Sequence, residues 1–253
     1  MENNEDLKVV QIGDKKEFEL TTPVAIIITG ILISASILIG FYWLTGGSNS
    51  DNSDKVAKVE DTGKNNAKKT DTPTPVSNTD RILGNINAPI SVILYTDFQC
   101  PFCGKFFSET EQGLNDSYIK NGKISLISRD FAFLGAESVK SAEAARCAGD
   151  QNKFWEYHDY LFTHQQGENK GAFADKNLKS FAKGLGLDTT IFNTCLDSGK
   201  YSKAIVDSTE EGGKAGVNGT PKGFIMKDGK VLDTIDGAEP LLMVTGKLDK
   251  ALQ

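Results

Sequence analysis

Ile90–Phe107, ISVILYTDFQCPFCGKFF, changes its hydrophobic period in mid-course, and that change restricts the fold more than any other stretch of the chain. Ile90–Thr96 is a mostly apolar run of strand length, whereas FCGKFFSETEQGLNDSYI, from Phe102 to Ile119, carries helical spacing. Lys123–Arg129, KISLISR, reads as a second strand, which completes a β-α-β unit. Near the other end, Lys222–Met226 and Lys230–Asp236 flank Asp228-Gly229, a pair suited to a tight hairpin turn, and a last helix is expected from about Glu239. Between these halves, about residues 136–215, the segments ESVKSAEAARCAG, KFWEYHDYLFTH, DKNLKSFAKGLG, DTTIFNTCLDSG and YSKAIVDSTEEGGKAG all have helical spacing. The expected class is α/β, in the order β-α-β, helical insertion, β-β-α.

A different pattern precedes this domain. Pro23–Leu44 is an uncharged apolar run close to the ~20 residues that an α-helix needs to cross a bilayer. Phe41, Tyr42 and Trp43 end it where an aromatic belt would lie, Lys15 and Lys16 precede it, and the next basic residue is Lys55. The expectation is a single transmembrane helix over 23–44, a cytoplasmic tail over 1–22 and everything later outside the cytoplasm. A cleaved signal peptide is the rival, but its apolar region would be shorter, about 7–15 residues. Residues 45–80 are rich in Ser, Asn, Asp, Lys, Gly and Thr, so they are expected to be a disordered tether, leaving residues 81–253 as the folded domain.

The net charge of −6 offers no basic stripe for phosphates, which argues against nucleic acid as a partner, and two histidines are too few for a His-rich metal site. The four cysteines are more telling. If the strand ends near Phe98, Cys100 falls at the N-cap of the following helix, Pro101 at its first position and Cys103 at the third. A sulfur at the N-cap faces the free N–H groups of the first turn and the positive end of the helix dipole, which favour thiolate over thiol. Cys100 is then the reactive sulfur, and Cys103 is near enough to close a small disulfide ring with it. A structural zinc site would need a second close pair of ligands, which Cys147 and Cys195 do not supply. Phe102, inside the ring, is expected to be exposed and able to contact apolar substrates. Asp97, beside the motif, is a candidate proton relay to Cys103, with a solvated turn residue as the plainer reading. His158 and His164, with Phe154, Trp155 and Tyr157, read as packing residues.

Three segments, ILGNINAPISVILYTDFQCPFC, AARCAGDQNKFWEYHDYLF and VNGTP, resemble the DsbA-like disulfide oxidoreductases of the thioredoxin-fold superfamily, and among them the membrane-anchored BdbD-type group. The resemblance runs from about Ile82 to Gln253. It implies a thioredoxin fold, and a protein dithiol oxidase that introduces disulfides into exported proteins through Cys100, Pro101, Phe102 and Cys103. It places Thr220 and Pro221 at the family's cis-proline position beside the active-site disulfide. The chain departs from the pattern at Lys222 and Gly223, where a small hydroxyl residue and an aromatic are common. No cofactor beyond the redox-active disulfide and no metal is implied, and the reoxidant would be a quinone-linked membrane protein of the DsbB or VKOR type. Cys147 and Cys195 are expected to form a structural disulfide, with a second redox pair or two buried thiols as alternatives. Two other functions stay open: a reductase or isomerase of the same fold, and a membrane-tethered binding module with a structural CxxC.

Overall fold

Seven strand residues with no polar face require cover on both sides, and β2, Ile90–Thr96, has it at the centre of a five-stranded sheet whose order is β1 (Arg81–Leu83), β3 (Ile124–Asp130), β2, β4 (Lys222–Lys227) and β5 (Lys230–Asp236). These features come from a computed structural model, which describes residues 71–77 and 79–253. The expected cytoplasmic tail, membrane helix and the tether up to residue 70 lie outside the described residues. Among the described residues, no helix is long and apolar enough to cross a membrane.

β3, Ile124–Asp130, runs parallel to β2, and β4, Lys222–Lys227, runs antiparallel to it with Tyr95 opposite Lys222. β5, Lys230–Asp236, pairs antiparallel with β4 across Asp228 and Gly229, whose φ values of 50° and 73° suit a tight hairpin turn. β1, Arg81–Leu83, adds an antiparallel edge to β3; three residues were too few to register in the sequence pattern.

Alternation along β2 sends its side chains to two separate cores. Ile90, Val92 and Leu94 pack with Phe106, Leu114 and Tyr118 of α1, residues 101–119, and with Val244 and Leu248 of α7, Leu241–Leu252. Ile93 and Tyr95 face the other way, onto Ile127, Phe224, Met226, Ala215 and Val217, with Val76 packed against them. Each fully buried side chain of this size contributes roughly 1.5–3 kcal/mol. The helix α1 is α-helical over Pro101–Phe106 and Gln112–Leu114 and widens into π turns at Phe107–Glu111 and Asn115–Ile119.

The insertion comprises α2, Ala136–Gly149; α3, Phe154–Thr163; α4, Asp175–Gly184; α5, Thr189–Asp197; and α6, Ser202–Lys214. Its core joins Leu161, Phe162, Phe173, Leu178 and Phe192 to Phe98, Cys100 and Cys103. The paired thiols therefore lie where the insertion meets the end of β2. Cys147 of α2 and Cys195 of α5 are joined by a disulfide, with Cα atoms 5.8 Å apart. On the sheet's other face α6 comes close because Gly212 has no side chain; a Cβ there would lie 3.0 Å from the Tyr95 ring.

The described residues before Arg81 are tied to the domain. Thr74 donates its N–H to Glu211 Oε1 at 2.7 Å, and Arg129 donates to Thr74 Oγ1 at 3.0 Å and to the Pro75 carbonyl at 3.2 Å. This strap, at the end of the stretch expected as tether, is held by a buried arginine that the local composition gives no sign of.

Candidate active site

β2 delivers the chain to a tight turn in which the Cys100 N–H donates to the Asp97 carbonyl at 3.0 Å. Cys100 is extended, with φ −68° and ψ 120°, and caps α1; Pro101 takes the first helical position, and the Gly104 N–H closes the first helical bond onto the Cys100 carbonyl at 3.1 Å. Both sulfurs are free thiols, and both residues are buried, Cys100 to 5% exposure and Cys103 to 1%. Phe102, between them, is 62% exposed.

The two sulfurs are electrostatically unequal. A hydrogen bond from the Cys103 thiol, joined by Thr220 and the N–H groups of Cys103 and Phe102, outweighs burial and holds Cys100 at about 6, below the ordinary thiol range. Burial pushes Cys103 well above that range, and the neighbouring Cys100 adds to the shift. The proton of the pair thus resides on Cys103. The thiol of Cys100 also lies 3.3 Å from the Thr220 carbonyl, and the Thr220–Pro221 peptide is cis. Pro221 brings no N–H to this contact.

Asp97 sits beside this pair with both carboxylate oxygens occupied. Oδ1 accepts from the Gln99 N–H at 2.8 Å and the Ser138 hydroxyl at 2.7 Å, and Oδ2 accepts from the N–H groups of Phe133 and Leu134 at 3.0 and 3.2 Å. Four donors fill the acceptor sites of a carboxylate, so this side chain ties the end of β2 to the loop after β3 and to α2. Its link to Cys103 is through the backbone.

Several polar residues at the site carried no signal in the sequence. Gln99 Nε2 donates to Ser138 Oγ at 2.8 Å and its Oε1 accepts from the Asn169 N–H at 2.5 Å. Gln165 reaches back from the loop after α3 to the carbonyls of Phe98 and Cys100. Behind the site, His158 lies among Phe98, Phe107, Phe154, Trp155 and Phe162, in line with its reading as a packing residue. It also places Nε2 3.8 Å from Oε1 of the buried Glu111 and bonds Asp159 Oδ1 through Nδ1 at 2.9 Å. Burial raises the Glu111 carboxyl to about 6 against the pull of His158. Glu111, His158 and Asp159 are the only group of metal-ligand types gathered in one place among the described residues, and carboxylates engage both ring nitrogens.

Known proteins are similar to this chain. The thioredoxin family profile covers residues 76–242. The Na+/H+ antiporter NhaA 1 of Salinispora arenicola is 30% identical over 58% of this chain, which spans only 21% of the antiporter's own length. The probable disulfide bond formation protein D of Bacillus anthracis is 26% identical over 58% of this chain and 70% of its own. Among solved structures, α-DsbA1 of Wolbachia pipientis superposes with a TM-score of 0.63 at 26% identity, covering 70% of this chain and 92% of that one. Because the family match, over residues 76–242, covers more than half of the chain and takes in the paired thiols and the cis proline, the chain belongs to the thioredoxin family.

Proposed function

We propose that the protein is a DsbA-like thiol:disulfide oxidoreductase that introduces disulfides into exported proteins. The observation that carries this reading is the setting of the two sulfurs: Cys100 caps α1 beside the Thr220 carbonyl and the cis Thr220–Pro221 peptide, where its pKa is lowered to about 6, while burial raises that of Cys103. A substrate thiolate attacks Sγ of Cys100 in the oxidised pair. The Cys100–Cys103 bond breaks, a mixed disulfide forms on Cys100, and Cys103 leaves and takes up a proton, as its raised pKa favours. A second substrate thiolate then attacks the substrate sulfur of that mixed disulfide. Cys100 departs as a stabilised thiolate, the substrate leaves with a disulfide, and the enzyme retains the two electrons as a dithiol.

The other residues divide the work. Thr220 and Pro221 wall the sulfur pair, Pro101 starts the helix whose N–H groups face Cys100, and the exposed Phe102 is placed to meet apolar segments of an unfolded substrate. Asp97 holds the loop, and the Cys147–Cys195 disulfide staples α2 to α5. The redox-active disulfide is the only redox group in this scheme. The names of the Bacillus and Wolbachia relatives support disulfide chemistry. The remaining assignments rest on the apolar run and its flanking charges for a single membrane anchor over 23–44 with the N-terminus cytoplasmic and the catalytic domain outside, and on the family resemblance alone for a quinone-linked membrane reoxidant of the DsbB or VKOR type.

Trapping tests the scheme. Cys103→Ala is expected to accumulate covalent complexes between Cys100 and exported proteins, and Cys100→Ala to accumulate none. Equal trapping by both variants would remove the assignment, and a reduction potential near that of thioredoxin, about −270 mV, would turn the reading toward a reductase.

A further inference from the structure

The loop between α3 and α4 exchanges two glutamine side chains with the loop that carries Cys100. From the active-site side, Gln99 sends its carboxamide outward to the Asn169 N–H and the Ser138 hydroxyl. From the insertion, Gln165 sends its carboxamide inward, and its Nε2 donates to the Phe98 carbonyl at 2.5 Å and to the Cys100 carbonyl at 3.2 Å. These carbonyls lie on either side of Gln99, so the backbone that aims the Cys100 side chain is gripped at both ends. The Cys100 carbonyl is also the acceptor of the first bond of α1, from the Gly104 N–H. One oxygen therefore joins the helix start to the insertion.

Gly104 shows that the seat is shaped for this side chain. A Cβ built on Gly104 would collide with Oε1 of Gln165 and lie 3.1 Å from its carboxamide carbon, with no other atom nearer than the Gln165 amide nitrogen. A glycine within a helix is destabilising by roughly 0.5–1 kcal/mol relative to alanine, so its presence one residue after Cys103 calls for a local reason. The packed carboxamide supplies one.

We propose that Gln165 is a positioning residue for Cys100: its carboxamide fixes the carbonyls of Phe98 and Cys100, and Gly104 provides the space from which it does so. The inference rests on the reading of Cys100 as the activated sulfur. Without the two hydrogen bonds, the N-cap turn is free to swing, and the sulfur loses its fixed relation to the N–H groups of Phe102 and Cys103.

The experiment uses the reduced full chain and follows thiolate absorbance against pH, with thermal unfolding measured in parallel. Gln165→Met keeps the length of the side chain and removes its hydrogen bonds. It is expected to raise the Cys100 titration midpoint by about half a pH unit or more, the change that losing one net hydrogen bond allows. Gly104→Ala, which leaves Gln165 present but displaced, is expected to raise the midpoint in the same direction. In Gly104→Ala with Gln165→Ala, the midpoint should match that of Gln165→Ala alone, because the collision has been removed. An unchanged midpoint in folded Gln165→Met overturns the proposal, as does full additivity in the double variant. A wild-type midpoint in the ordinary thiol range would instead overturn the activated-sulfur reading itself, and that result is visible before any variant is made.

Discussion

Arg129 holds Asp80 through two parallel hydrogen bonds, Nε to Oδ1 at 3.0 Å and Nη2 to Oδ2 at 3.1 Å, with the guanidinium buried beneath the strap. The remaining donor, Nη1, is shared among Thr74, the Tyr95 hydroxyl and Glu211. Two-point binding of this kind fixes both partners, and removing one leaves a buried charge short of its counterion. Asp80→Ala is expected to lower stability by about 3 kcal/mol in urea unfolding while leaving the Cys100 titration where it was. A loss below about 0.5 kcal/mol would mean that Glu211 alone suffices for Arg129.

The depressed Cys100 value makes the stability of the reduced protein depend on pH. Its folded value, about 6, lies below the ordinary 9.0, so between these values the native state binds fewer protons than the unfolded chain. The stabilisation is complete above the ordinary value and is lost as pH falls through about 6. Reduced wild type is therefore expected to gain stability over Cys100→Ala as pH rises across this window, and only one of the two sulfurs should alkylate rapidly at neutral pH. Equal alkylation of Cys100 and Cys103 would contradict the inequality.

Glu111 has the opposite sign. Its folded value, about 6, lies above the ordinary 4.5, so the native state keeps a proton that the unfolded chain gives up. That contribution is present below the ordinary value and is lost as pH rises through about 6. Glu111→Gln should be more stable than wild type above this range, by about 1–2 kcal/mol, and the difference should shrink in acid. Parallel pH dependence for the two proteins would show that the carboxyl does not titrate there.

The Cys147–Cys195 bond closes a loop of sequence separation 48. Replacing both residues with alanine should cost roughly 4 kcal/mol on the chain-entropy account and spare oxidase turnover well below the new melting temperature. Lost turnover in a folded variant would instead make this pair part of the electron path.

The parts of the site that were legible in the sequence are those fixed by near neighbours. The strand-to-helix change at Ile90–Phe107, the capping position of Cys100 and the Asp228-Gly229 turn each follow from a few adjacent residues, and the structure has all three where they were expected. What was not legible depends on partners far along the chain. β1 is held by its pairing with β3, and the strap is tied to Arg129 and Glu211. The four donors to Asp97 come from Gln99, the loop after β3 and α2, which a local reading does not bring together. Glu111 and His158 meet across two helices, and Gln165 is one polar residue in a polar loop.

The strap also determines how the domain bears load. Tension arriving along the backbone from residues before 71 reaches Thr74 and Asp80, both gripped by Arg129, before it reaches β1. A pull there has to shear several hydrogen bonds together instead of opening the short β1 edge one pair at a time. The guanidinium thus acts as a mooring cleat that spares the short sheet edge.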